Sequence, residues 1–181
     1  MVFSMKNGFV IKSWHIKNLL DENWVDRIST QQKLYKISPV FPRIEYRFNN
    51  HTGILTQTIP LIDASKQPID GSFIKQLHDA VSIMHDMNFI HGDLLTKNLK
   101  FSDSGLRILD YTPSLAELKS GIKTFNSTYP WIDIDDYLDN EITKRTDLLC
   151  LKATTLRLSN YHQYLIFRSE QIVKLNTDGV I

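Results

Sequence analysis

Ile90-His91-Gly92-Asp93-Leu94-Leu95-Thr96-Lys97-Asn98-Leu99 lies at the centre of a chain of 181 residues. A histidine, a carboxylate two places on and a carboxamide five places further make the pattern H-x-D-x-x-x-x-N. Immediately downstream, Leu99-Lys100-Phe101 and Leu106-Arg107-Ile108-Leu109 flank Ser102-Asp103-Ser104-Gly105, a turn composition between two apolar runs that predicts a short hairpin. Asp110 ends the second run, twelve residues beyond Asn98. Singly, an aspartate after an apolar strand is usually a turn residue or a helix cap, and a lone histidine is usually structural. Together they gather two carboxylates and an amide oxygen around one hairpin.

Upstream, Ser72 onwards carries apolar residues at Phe73, Leu77, Val81 and Met84, with Ile74 and Ile83 widening the stripe. That spacing predicts a core helix of about four turns. Before it the texture is different. Asn7-Gly8 is a two-residue hairpin signal between Val2–Met5 and Phe9–Lys12. A helix is expected within 22–37, with Trp24, Ile28, Gln31 and Leu34 near one face and Pro39 and Pro42 beyond its end. Residues 43–48 and 53–59 alternate in character around Asn49-Asn50-His51-Thr52 and predict a second hairpin. Downstream, 148–158 is helical in pattern, and the tail from Ser159 is mixed. The expected fold class is α+β: one domain over 1–181, with a small sheet-plus-helix part in 1–60 and a mostly helical part in 61–181.

Composition narrows the function classes. Hydrophobic content is 42% and charged content 23%, as in ordinary globular proteins. A formal net charge of +1 leaves no basic excess to suggest nucleic acid as the main partner. The single cysteine, Cys150, has no internal disulfide partner, which suits a reducing compartment. Residues 1–14 contain no apolar run or cleavage pattern of a secretory signal, and no apolar stretch approaches the ~18–20 residues of a membrane span.

The segment 91–110 resembles the catalytic loop and metal-binding aspartate of the protein-kinase-like phosphotransferases. The resemblance extends over about 9–158. It implies a minimal two-lobed kinase-like fold that uses ATP and Mg²⁺. Phosphoryl transfer needs a carboxylate to orient the acceptor hydroxyl and take its proton, and oxygen ligands for a cation bridging the phosphates. On this reading Asp93 is the base, Asn98 and Asp110 are the metal ligands, and His91 braces the loop. Lys97 would help neutralise the transferred phosphate, although a lysine there is equally a solvated charge. Val10-Ile11-Lys12 resembles the strand whose lysine contacts the α- and β-phosphates. Gln31 matches by spacing the helix glutamate that normally pairs with that lysine, with Glu22 as an earlier alternative.

Several positions depart from the family pattern. Only Gly8 stands where a glycine-rich phosphate loop is expected; either the loop is absent, or the start is truncated, or another segment covers the phosphates. Asp110-Tyr111-Thr112 replaces Asp-Phe-Gly, which removes the permissive glycine. Residues 128–135 resemble the end of an activation segment, with Asp135 at its glutamate, and Asp147 resembles the buried aspartate that steadies the catalytic loop. Ser127, Thr128 and Tyr129 fall within that segment, but Gly92 replaces the arginine beside the catalytic aspartate, so activity without phosphorylation there is expected.

The resemblance therefore implies a minimal Ser/Thr protein kinase, like those among bacterial effectors and toxin-like systems, with a protein substrate. It would work in the cytoplasm, or in a host cell after delivery by a signal this sequence does not display. The His-Gly-Asp form also fits kinases of small molecules, sugars or lipopolysaccharide. A pseudokinase binding module is the third reading, favoured by Gln31 and the missing loop and opposed by the joint presence of Asp93, Asn98 and Asp110.

Overall fold

A computed structural model describes residues 2–15, 17, 24–63, 70–111 and 131–179. The chain is α+β, a small antiparallel sheet followed by a largely helical part. Strands β1 (Val2–Lys6) and β2 (Phe9–His15) pair around Asn7 and Gly8, whose φ angles of 50° and 78° supply the left-handed turn that Asn-Gly favours. Helix α1 (Trp24–Ile37) follows and buries Ile28, Gln31 and Leu34. Strands β3 (Glu45–Asn49) and β4 (Ile54–Pro60) complete a four-stranded sheet of order β1-β2-β4-β3. Its register sets Lys12 opposite Gln57 and Trp14 opposite Leu55. In β4 the buried positions alternate as Leu55, Gln57 and Ile59, so a polar amide occupies an inward site.

Helix α2 (Gly71–Asp86) begins at Asp70, whose carboxylate accepts from the Ser72 amide, and buries Phe73, Leu77, Ala80, Val81 and Met84. This is the expected apolar stripe. A 3₁₀ turn over Thr96–Asn98 leads into β5 (Leu99–Ser102), which pairs with β6 (Gly105–Ile108). Gly105 has φ +108°, and a Cβ there would come within 2.8 Å of the Gln76 Oε1 atom that accepts from the Leu106 amide. The positive φ is what favours glycine here, since the nearby Gln76 atom is the end of a flexible side chain.

The helical part continues with α3 (Ile134–Leu138), α4 (Lys144–Ser159) and α5 (Tyr161–Thr177). Helix α4 starts four residues ahead of the expected 148, at a Thr143 cap whose hydroxyl accepts from the Arg145 amide. The tail that reads as mixed is mostly α5. It is separated from α4 by Asn160 alone, whose side chain caps it by accepting from the Gln163 amide. No glycine or proline marks that junction, and α5 exposes Leu165, Ile166 and Val173 while burying Gln171, which blurs its periodicity.

One hydrophobic cluster runs through both parts. Leu34, Ile44 and Ile59 from the sheet side join Leu77, Met84, Phe89, Leu94, Leu106, Ile108, Tyr111, Trp131, Cys150 and Tyr164. Each large apolar side chain among them contributes about 1.5–3 kcal/mol by leaving water. The Ile108 amide also donates to the Val40 carbonyl at 2.9 Å, tying β6 to the segment after α1. Among the described residues no helix is long and apolar enough to cross a membrane.

Candidate active site

The segment between α2 and β5 is irregular, and its shape is imposed by side chains around it. Asp147, fully buried in the first turn of α4, accepts from the amides of His91 at 2.9 Å and Gly92 at 2.7 Å. His85 Nε2 lies 3.2 Å from the same carboxylate. Gly92 has φ +82°, so its place in the sequence has a local conformational reason. Thr154, two turns further along α4, donates its hydroxyl to the Leu94 carbonyl at 2.8 Å. Helix α4 thus grips the loop on either side of Asp93.

His91 stitches the loop to the strand end. Its Nε2 donates to the Leu109 carbonyl at 2.8 Å, and its Nδ1 accepts from the Asp93 amide at 3.2 Å. This is the pattern of a neutral imidazole. Burial holds its pKa below the usual histidine value, against the opposing pull of Asp147. The Leu109 amide returns a bond to the Asn98 carbonyl at 2.8 Å. Tyr111 packs against His91 and Phe89, with ring centroids 5.1 and 5.8 Å away. Burial raises its phenol pKa well above the ordinary value.

Asp93 and Asn98 meet directly. The Asn98 amide nitrogen donates to the Asp93 carbonyl at 2.7 Å and to its Oδ2 at 2.8 Å. With the nitrogen committed there, the amide oxygen is the atom Asn98 offers to a cation. Lys97 Nζ lies 2.9 Å from the same Asp93 oxygen. Asp110 stands just after β6 with φ +62°, a conformation uncommon outside glycine but tolerated by aspartate. Its carboxylate pairs with Lys12 of β2.

Lys12, Lys97, Asn98 and Asp110 border one cleft of about 300 Å³. Val10, Ile59 and Leu61 form an apolar stretch, and Lys12, Lys97, Asn98, Lys100 and Asp110 a polar one. The size is at the lower end for a small-molecule site. Asn98 and Asp110 are two oxygen donors on this cleft. Two suit Mg²⁺, which keeps several waters and takes other ligands from phosphates. Among the described residues no group of three His, Cys, Asp or Glu could hold a metal ion by itself.

The arrangement brings together His91, Asp93, Lys97, Asn98, Asp110 and Lys12, but not Gln31. Gln31 is buried on α1, and neither its amide oxygen nor its nitrogen has a hydrogen-bond partner. The expected glutamine–lysine hydrogen bond is therefore not made: the Lys12 ammonium goes to Asp110 instead, where it meets a full opposite charge. Asp135 lies 3.4 Å from Arg145 Nη1. Its side chain is largely exposed, whereas its neighbour Asp136 is fully buried. Asp136 accepts from Thr143 Oγ1 at 2.6 Å, Thr146 Oγ1 at 2.7 Å and Arg145 Nε at 3.0 Å. Burial works to raise its pKa, but these hydrogen bonds outweigh it and hold the carboxyl below its ordinary value. The expectations for Glu22, Thr112, Ser127, Thr128 and Tyr129 fall outside the described residues.

Gln57 is a residue of the site that the sequence pattern did not single out. Its Nε2 donates to the Tyr46 hydroxyl at 2.8 Å and to the Tyr111 carbonyl at 2.9 Å, so β4 holds the backbone next to Asp110. Burial pushes the Tyr46 phenol up to about 12, so it stays protonated at any ordinary pH. The available signal was a lone amide at an inward position of an alternating strand.

No known family model matches this chain, and no curated protein matches it.

Proposed function

We propose that the chain is an ATP-dependent phosphotransferase of minimal, two-lobed, protein-kinase-like form, acting on a serine or threonine hydroxyl of a protein. The observation that carries the reading is the meeting of Lys12, Asn98 and Asp110 at one cleft, with Asp93 hydrogen-bonded to Asn98 beside it.

The apolar stretch of Val10, Ile59 and Leu61 would take the base of the nucleotide, and Lys12, Lys97 and Lys100 would face its phosphates. Asn98 Oδ1 and the Asp110 carboxylate would hold a Mg²⁺ ion, which would neutralise negative charge on the phosphates. For that, Lys12 must release Asp110 and turn to the phosphates. Asp93 orients the acceptor hydroxyl and takes its proton as the new O–P bond forms. The bond from the γ-phosphorus to its bridging oxygen breaks, and ADP leaves with that electron pair. Lys97, 2.9 Å from Asp93, would help neutralise the transferred phosphate.

The protein acceptor is favoured by the order in which the segment near 128–135 and Asp147 follow the catalytic loop. A small-molecule or sugar acceptor is the second reading, favoured by Gly92 in place of arginine. The buried free thiol Cys150, whose pKa burial raises well above its ordinary value, suits the proposed setting in the cytoplasm or inside a host cell. Incubation of the full chain with γ-labelled ATP and Mg²⁺ in a cell lysate tests the reading and the acceptor class together. Label in protein bands supports the first form, and label only in small molecules or glycans supports the second. No label in any fraction, without nucleotide-induced stabilisation, would leave a binding module.

A further inference from the structure

A second groove, larger than the cleft, lies elsewhere on the described residues. It lies between α1 and β3, has a volume of about 680 Å³, and is bordered by Lys33 and Lys36 of α1 and by Arg43, Glu45, Tyr46 and Arg47. Four cations thus face it against one carboxylate, in a chain whose net charge is only +1. Glu45 is 3.2 Å from Arg43 in an exposed pair, which leaves the rim strongly basic. The strand beside this groove is also a sheet edge. β3 pairs with β4 on one side, and among the described residues no strand pairs with the other. An edge strand presents a row of backbone donors and acceptors that an extended segment can match.

We propose that this groove docks an extended acidic peptide segment of a partner protein, which adds to the β3 edge and sets its carboxylates against Lys33, Lys36, Arg43 and Arg47. Charge complementarity selects the occupant: a neutral or basic strand would meet the edge but not the rim, and opposite charge also steers the encounter. The groove and the cleft share no bordering residue, so peptide binding can be measured separately from phosphotransfer.

The test uses the full chain and a fluorescein-labelled peptide of alternating glutamate and valine. Its anisotropy is expected to rise on titration, with affinity falling as salt is added. The Lys33→Glu/Lys36→Glu double variant, on exposed positions, should bind about tenfold more weakly or worse with an unchanged melting temperature. Arg43→Gln/Arg47→Gln provides a second variant should the first not fold. The peptide should also slow amide exchange within 45–49. Absence of binding, equal binding of a glutamine-valine peptide, or equal binding by both charge variants would overturn the proposal. So would exchange protection confined to other segments, or tighter binding of a single-stranded oligonucleotide at the same groove.

Discussion

Lys12 on β2 and Asp110 beyond β6 are 98 positions apart in sequence and form an ion pair across the cleft. The pair joins the sheet to the end of β6, and on the proposed reading it occupies both the cation that would meet phosphate and the carboxylate that would hold a metal. Asp110→Ala should therefore separate two effects. Transfer is lost, while Mg²⁺-free ATP binds at least as tightly as to the unaltered chain, because Lys12 is released. Calorimetric titration of ATP with chelator present checks this; weaker Mg²⁺-free binding would show that Asp110 does not compete for Lys12.

Asp147 supports the loop from beneath. Asp147→Ala leaves the His91 and Gly92 amides without their buried acceptor and should cost about 3 kcal/mol, since hydrogen bonds to a charged group are worth ~1.5–3 kcal/mol each. Urea unfolding monitored by tryptophan fluorescence measures it. A loss below half that figure would mean the loop keeps its shape by other contacts.

Gln31 and Gln57 are both buried amides with opposite expected behaviour. Gln31 has no hydrogen-bond partner, so Gln31→Leu should be neutral or stabilising by about 1 kcal/mol. Gln57 holds the Tyr111 carbonyl, so Gln57→Leu should lower kcat more than it raises the KM for ATP. Steady-state kinetics and thermal melts of the two variants distinguish them; the reverse ranking would refute both assignments.

His91 gives a pH dependence of known sign. Its folded pKa lies below the ordinary 6.5, so the unfolded chain takes up its proton first as pH falls. Its contribution to stability is constant above about 6.5 and is lost progressively as pH drops from there toward the folded pKa. Unfolding free energies between pH 5 and 7 should fall on acidification, and His91→Gln should flatten that slope. An unchanged slope would assign the acid sensitivity to other groups.

Much of the fold was legible in the sequence because its signals are local. Asn7-Gly8 dictates a hairpin, and Phe73, Leu77, Val81 and Met84 dictate a buried helix face. The H-x-D-x-x-x-x-N spacing put Asp93 and Asn98 within reach of each other. What was not legible depends on contacts between distant segments. Spacing alone pointed to Gln31, or Glu22, as the partner of Lys12, and only the folded chain brings Asp110 to it. Asp135 and Asp136 are neighbours with equal chemistry, and only the turn of α3 against Thr143 and Arg145 decides which is buried. Helix α5 was hidden because Asn160 ends one helix and caps the next without a glycine or proline.

Asp93 as the base of a phosphoryl transfer is the claim on which the proposed mechanism turns. The measurement that meets it most directly is the rate of γ-labelled phosphate transfer by the purified full chain with Mg²⁺, compared with Asp93→Asn. Measurable transfer by the unaltered chain is expected, with a fall of about 10²–10⁴-fold in the variant and with ATP affinity and melting temperature preserved. Equal rates in the two proteins, or no transfer by the unaltered chain to any protein or glycan acceptor, would contradict it.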